Sequence, residues 1–138
     1  MGPGVKRLPR AGDLSTTIRR EMFALPSGLV DAVLERLGLP GAPAADRAGL
    51  EQIYAAWCES VPFDNVLKRL WLEEKWPGRL PGSTPVDFFR DWIEYRTGGT
   101  CWAGNGALFG LLRELGFQRV GSRTVLAGMI GFHRATRP

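Results

Sequence analysis

The sequence predicts a mainly α fold, a small helical bundle over residues 27–117 followed by one or two β-strands in residues 118–138. Three observations predict it. Apolar residues recur at three- and four-residue spacing in four separate segments, as in helices that bury one face. Residues that start and stop helices bracket those segments. After Gly116 the helical spacing ends, and the stretches 119–124 and 125–132 carry Val, Thr, Ile and Phe between glycines, as strands do. Ahead of the bundle, residues 1–26 open MGPGVKRLPRAGD, a basic segment rich in Gly and Pro that is expected to be flexible.

The first helix is marked by Leu29, Val30, Val33, Leu34 and Leu37, with Ser27 as its cap and Gly38 as its stop. A PGAPAAD loop follows. The second helix has Asp46 near its start and Leu50, Ile53, Tyr54, Trp57 and Cys58 on one face, so Cys58 is expected in the core. It breaks at Val61-Pro62. Residues 62–83 read as irregular, with at most a short helical turn, and Asp64 and Asn65 shape a turn there. In the third helix Thr84 caps, Pro85 suits the first turn and Asp87 complements the positive end of the dipole. Val86, Phe89, Trp92 and Ile93 form its buried stripe, and Gly98-Gly99 ends it. The fourth helix starts near Cys101, turns Leu108, Leu111, Leu112 and Leu115 inward, and closes at Gly116.

Composition narrows the function classes. The 138 residues suit one folded domain, and 44% hydrophobic with 23% charged content is that of a globular chain. No apolar run approaches the ~18 residues of a membrane-spanning helix, and no apolar segment follows the basic N-terminus as in a secretory signal. No membrane partner is therefore expected. Cys58 and Cys101 read as free thiols in a reducing, cytoplasmic setting. One His and two Cys are too few for a four-ligand metal site, so no metal is expected. Net charge is +4 over residues 1–20, +4 over 113–138 and −4 between them. The basic residues fringe the ends rather than line one helix, which favours a solvated fringe over a nucleic-acid surface.

Chemistry concentrates in Arg96-Thr97-Gly98-Gly99-Thr100-Cys101-Trp102-Ala103-Gly104-Asn105-Gly106. The Gly pair lets the backbone turn tightly and delivers Cys101 to the first turn of a helix. There the sulfur faces unpaired backbone N–H groups and the positive end of the helix dipole, and both favour the nucleophilic thiolate. A nucleophilic Cys also needs a base and a group to orient that base. His133 is the only His in the chain, and no Asp or Glu follows it.

These residues resemble the arylamine N-acetyltransferases. Val61-Pro62-Phe63-Asp64-Asn65-Val66 is similar to that family's Val-Pro-Phe-Glu-Asn-Leu, and Gly98-Gly99-Thr100-Cys101-Trp102-Ala103-Gly104-Asn105-Gly106 to its Arg-Gly-Gly-x-Cys-aromatic-Glu-Leu-Asn-Gly. The resemblance covers about residues 28–120 and includes the Leu-Leu-Arg-Glu-Leu-Gly-Phe text after the Cys. It implies the N-terminal domain of a papain- and transglutaminase-like fold with a Cys-His-Asp triad. Acetyl transfer would run from acetyl-CoA to an arylamine or hydrazine by ping-pong chemistry. Cys101 would be the nucleophile and His133 the candidate base. Phe63 would line the acceptor pocket and Trp102 would join it, although both aromatics suit a core equally.

The sequence departs from that pattern at three places. The family's Arg before the Gly pair is Thr97, with Arg96 one place early; its Glu after the aromatic is Ala103; its Leu is Gly104. The family's β-barrel, triad Asp, Gly-rich coenzyme A loop and lid would all fall beyond Pro138. Residues 118–138 are therefore expected to be the start of an incomplete barrel, and the chain incomplete or inactive as an enzyme. Two other readings stand beside acetyl transfer: a non-catalytic helical remnant or interaction module, and an amide synthase of natural-product biosynthesis.

Overall fold

The structure is a computed structural model and describes residues 23–118, 121–125 and 130–134. It is mainly helical. Helix α1 (Ser27–Arg36) buries Val33 and Leu34, and Leu37 and Gly38 follow it, Gly38 with a φ of +73° that suits glycine. The expected Ser27 cap is not the one used. Pro26 occupies the cap position, and its carbonyl accepts from the Leu29 and Val30 amides.

Helix α2 (Arg47–Ser60) starts as its sequence predicts, with an Asp46 carboxylate oxygen accepting from the Gly49 amide at 2.8 Å. Its buried stripe is narrower than expected. Ile53 is fully buried and Leu50 and Trp57 partly so, while Tyr54 and Cys58 are exposed. Each lies one residue, about 100° of helix rotation, past Ile53 or Trp57, enough to turn it out of a core that meets α2 along a single line. Cys58 is thus a surface thiol and not a core residue.

A helix the sequence leaves irregular, α3 (Val66–Glu73), follows at once. None of its residues is fully buried, and an exposed Arg69–Glu73 ion pair at 3.3 Å lies along it. Helix α4 (Pro85–Tyr95) has the expected N-terminus: Thr84 Oγ1 accepts from the Asp87 amide at 3.1 Å, with Pro85 in the first turn. Its inward face is Pro85, Phe88, Phe89 and Trp92. The helix ends at Tyr95, before Gly98-Gly99, because Arg96 takes the left-handed conformation at φ +59°.

Helix α5 (Cys101–Glu114) packs on α4, and α4 on α1. Ala103, Ala107, Leu108, Leu111 and Leu112 are buried along it. The core is aromatic at its centre. Trp57 stacks on Phe88 at 6.0 Å and meets Phe89 edge-on, and Phe88 and Phe89 form a T-shaped pair at 5.6 Å. Trp92 donates its indole N–H to the Ser60 carbonyl at 3.4 Å, and the Arg36 guanidinium lies over its ring. Phe23 packs against Phe109, and Leu25 is buried with its amide donating to Glu114.

Beyond α5 the backbone of β1 (Gly121–Val125) pairs antiparallel with β2 (Ile130–Arg134), from Gly121↔Arg134 to Val125↔Ile130. Two paired strands do not make a barrel, and among the described residues neither the expected barrel nor a papain-like arrangement is seen. The basic N-terminal segment up to residue 22 lies outside the described residues. Among the described residues no helix is long and apolar enough to cross a membrane.

Candidate functional site

The two motif segments, far apart in sequence, lie side by side. Phe63 and Gly99 form an isolated parallel bridge, and the Asp64 amide donates to the Gly99 carbonyl at 3.3 Å. The Asp64 carboxylate holds both sides of the junction. One oxygen accepts from the Val66 amide at 3.2 Å and closes the turn into α3; the other accepts from the Gly98 amide at 2.8 Å, across 34 positions of chain. The sequence reading gave Asp64 only the turn. The long-range half was not legible, because periodicity and turn chemistry report neighbours and not crossings.

The glycine pair also acts differently from expectation. Neither Gly98 nor Gly99 is among the positive-φ glycines, so a tight left-handed turn is not what requires them. A Cβ on Gly98 would collide with the Pro62 carbonyl, and one on Gly99 would come within 3.0 Å of Phe88 and 3.2 Å of Ala103. Gly98 is there because two backbones cross in contact.

Cys101 is the first residue of α5 and is exposed. Thr100 stands at the cap but makes no side-chain cap bond; its hydroxyl accepts from the Lys68 ammonium at 2.6 Å. Trp102 is 63% and Phe63 76% exposed, so both aromatics stand on the surface at the same end of the molecule as the thiol. The backbone of His133 pairs with Ser122, and its side chain lies outside the described residues. The structure therefore brings Phe63, Cys101 and Trp102 to one end and leaves the His133 imidazole unplaced.

Behind the Gly98-Gly99 segment is a cleft lined by Asp64, Lys68, Phe88, Asp91 and Ala103. Burial, with the nearby Asp87 and Glu94 carboxylates, raises the Asp91 carboxyl above its ordinary range. A neighbouring groove of about 300 Å³ shares Leu67, Pro81 and Asp91 with that cleft and adds Trp71, Trp76 and Arg79. Thr97 Oγ1 and Trp71 Nε1 are buried without hydrogen-bond partners among the described residues. Sequence reasoning missed Lys68 and Asp91. The one available signal was Leu67, Leu70 and Trp71 at helical spacing, which marks α3 and so fixes where Lys68 points. Among the described residues no group of His, Cys, Asp and Glu is placed to hold a metal ion.

The chain is similar to an arylamine N-acetyltransferase of Mycolicibacterium smegmatis, 34% identical over 94 residues, which is 67% of this chain and 32% of that protein. It thus spans about a third of the relative's length. No family model and no solved structure matches the chain.

Proposed function

We propose that the chain is the nucleophile-bearing portion of an arylamine N-acetyltransferase-like acyltransferase, with Cys101 as the acyl acceptor. The observation that carries this reading is the junction itself. The Phe63-Asp64 segment is tied to Gly98-Gly99 immediately before an exposed Cys at a helix start, in a chain similar to such an enzyme. In the proposed reaction the Cys101 thiolate attacks the acetyl carbonyl carbon of acetyl-CoA. A new S–C bond forms, and coenzyme A departs as a thiolate that takes up a proton. An arylamine or hydrazine nitrogen then attacks the acetyl-enzyme, the S–C bond breaks, the nitrogen loses its proton to a base, and the Cys101 thiolate is restored. His133 is the candidate for that base, and Phe63 and Trp102 are the candidate surfaces for the acceptor ring. The acid that would orient His133 would come from earlier in the chain or from another polypeptide segment.

Incubation with acetyl-CoA and an arylhydrazine tests the reading, comparing the chain with Cys101→Ala. It expects coenzyme A release and an acetyl adduct by intact mass, both lost in the variant. Absence of any Cys101-dependent release or adduct overturns catalysis by this polypeptide.

A second reading, a non-catalytic helical module, draws support from Thr97. This residue stands where the family has Arg, and its hydroxyl is buried without a partner among the described residues. That reading expects Cys101 to be alkylated no faster than an ordinary exposed thiol.

A further inference from the structure

We propose that Lys68 is a positioning residue for Cys101, fixing the loop ahead of the thiol and setting a positive charge beside it; this rests on the acyl-transfer reading above. A Thr at a helix cap ordinarily turns its hydroxyl to the amides of the first turn. Thr100 makes no such bond, and Lys68 donates to its hydroxyl instead at 2.6 Å, across 32 positions of chain. The loop is therefore held twice from one short stretch. Asp64 holds Gly98 and Lys68 holds Thr100, four residues apart at the start of α3.

Neither Thr97 nor Ala103, the two positions where the resembled family carries charge, can supply such a tie. Lys68 makes no ion pair among the described residues, so its charge is not consumed by a carboxylate. The carboxylates that share its cleft are Asp64 and Asp91. Asp64 turns both of its oxygens to backbone amides rather than to the Lys68 ammonium, and among the described residues Asp91 makes no ion pair with Lys68. The Lys68 ammonium is thus fixed on the residue that precedes Cys101, at the same helix start as the uncapped amides of the first turn of α5, and both attract an anionic reagent approaching there.

The test uses the full chain with Cys58→Ser, which leaves Cys101 as the sole thiol. Alkylation rates are measured with anionic iodoacetate and neutral iodoacetamide at low ionic strength. A local positive charge favours the anionic reagent, so the ratio of the two rates reads charge, whereas a purely structural loss slows or speeds both alike. Lys68→Met is expected to lower the ratio by about threefold or more, and Lys68→Arg to keep it within about twofold of the parent. Thr100→Val leaves the charge in the molecule but removes its anchor, and is expected to lower the ratio in the same direction. Far-UV circular dichroism confirms that each variant is folded.

An unchanged ratio in folded Lys68→Met overturns the proposal and leaves the acyl-transfer reading intact. Should Lys68→Met unfold, an unchanged ratio in Thr100→Val overturns it instead. A parent Cys101 that reacts no faster than Cys58 does in the Cys101→Ala chain removes the nucleophile reading itself, and this inference with it.

Discussion

Gly98 carries a constraint that no side chain can meet. Its amide is held by Asp64 and its Cα faces the Pro62 carbonyl too closely for any Cβ. Gly98→Ala must therefore push two backbones apart, losing the Asp64 bond and the Phe63↔Gly99 bridge together. A loss of about 2–4 kcal/mol is expected, as for other overpacked or strained sites, and the urea midpoint of unfolding measures it. Asp91 is the opposite case, a side chain whose present charge state is a cost. Its carboxyl is raised by burial first and then by Asp87 and Glu94. A carboxyl raised on folding stabilises the fold fully below its unfolded value, and that stability is lost as pH rises through the folded value. Asp91→Asn should accordingly be more stable than the parent at pH 7, read as a higher Tm. The advantage should vanish below about pH 4. Thermal unfolding of both chains at several pH values checks the sign, and an equal Tm difference at every pH would contradict the assignment.

Helix α4 shows how far local rules reach. Thr84, Pro85 and Asp87 predict its start, and the structure places the cap bond there. Of the glycines that were to end it, Gly98 belongs instead to the crossing with Pro62 and Gly99 packs on Phe88 and Ala103, while Arg96 ends the helix in a conformation that favours glycine. The sequence holds no trace of that, because an Arg gives no local signal for a left-handed backbone. A left-handed conformation costs a non-glycine residue about 1–2 kcal/mol, and glycine returns part of this as chain entropy. Arg96→Gly is expected to stabilise the protein by about 0.5–1 kcal/mol, read as a higher urea midpoint at unchanged slope. Helix α3 fails the sequence reading for the reverse reason. Its pattern is helical but short, and a helix of eight residues forms because Asp64 and the neighbouring elements hold it, not from its own propensity. The Cys58 error is of the same kind. The 3.6-residue period gave the axis of the α2 stripe correctly and its width too generously, and width depends on what the helix meets.

At the scale of the molecule, the aromatic core and the thiol-bearing loop are one packed body. Phe88 and Phe89 are sequence neighbours on α4 and both are buried, yet they face different things. Phe89 looks into the core, between Trp57 and Trp92. Phe88 stacks its ring face on Trp57 and turns an edge to the Gly99 backbone, where it also lines the cleft with Lys68 and Asp64. The sequence reading placed Phe89 in the buried stripe and omitted Phe88, since a stripe on one helix face has no room for both; α4 buries both because α5 and the Gly98-Gly99 segment cover its second flank. The two residues should therefore separate stability from loop geometry. Phe88→Ala and Phe89→Ala are each expected to cost about 3–5 kcal/mol, near the whole stability of a small domain, so the milder Phe→Leu changes serve better as probes. Phe89→Leu should lower the urea midpoint and leave Cys101 alkylation in the folded chain unchanged. Phe88→Leu should lower the midpoint comparably and in addition alter that alkylation rate, because the side of the ring that holds Gly99 in place is reshaped. Equal alkylation in the two folded variants would show that the loop is held by Asp64 and Lys68 alone, without help from the core beneath it.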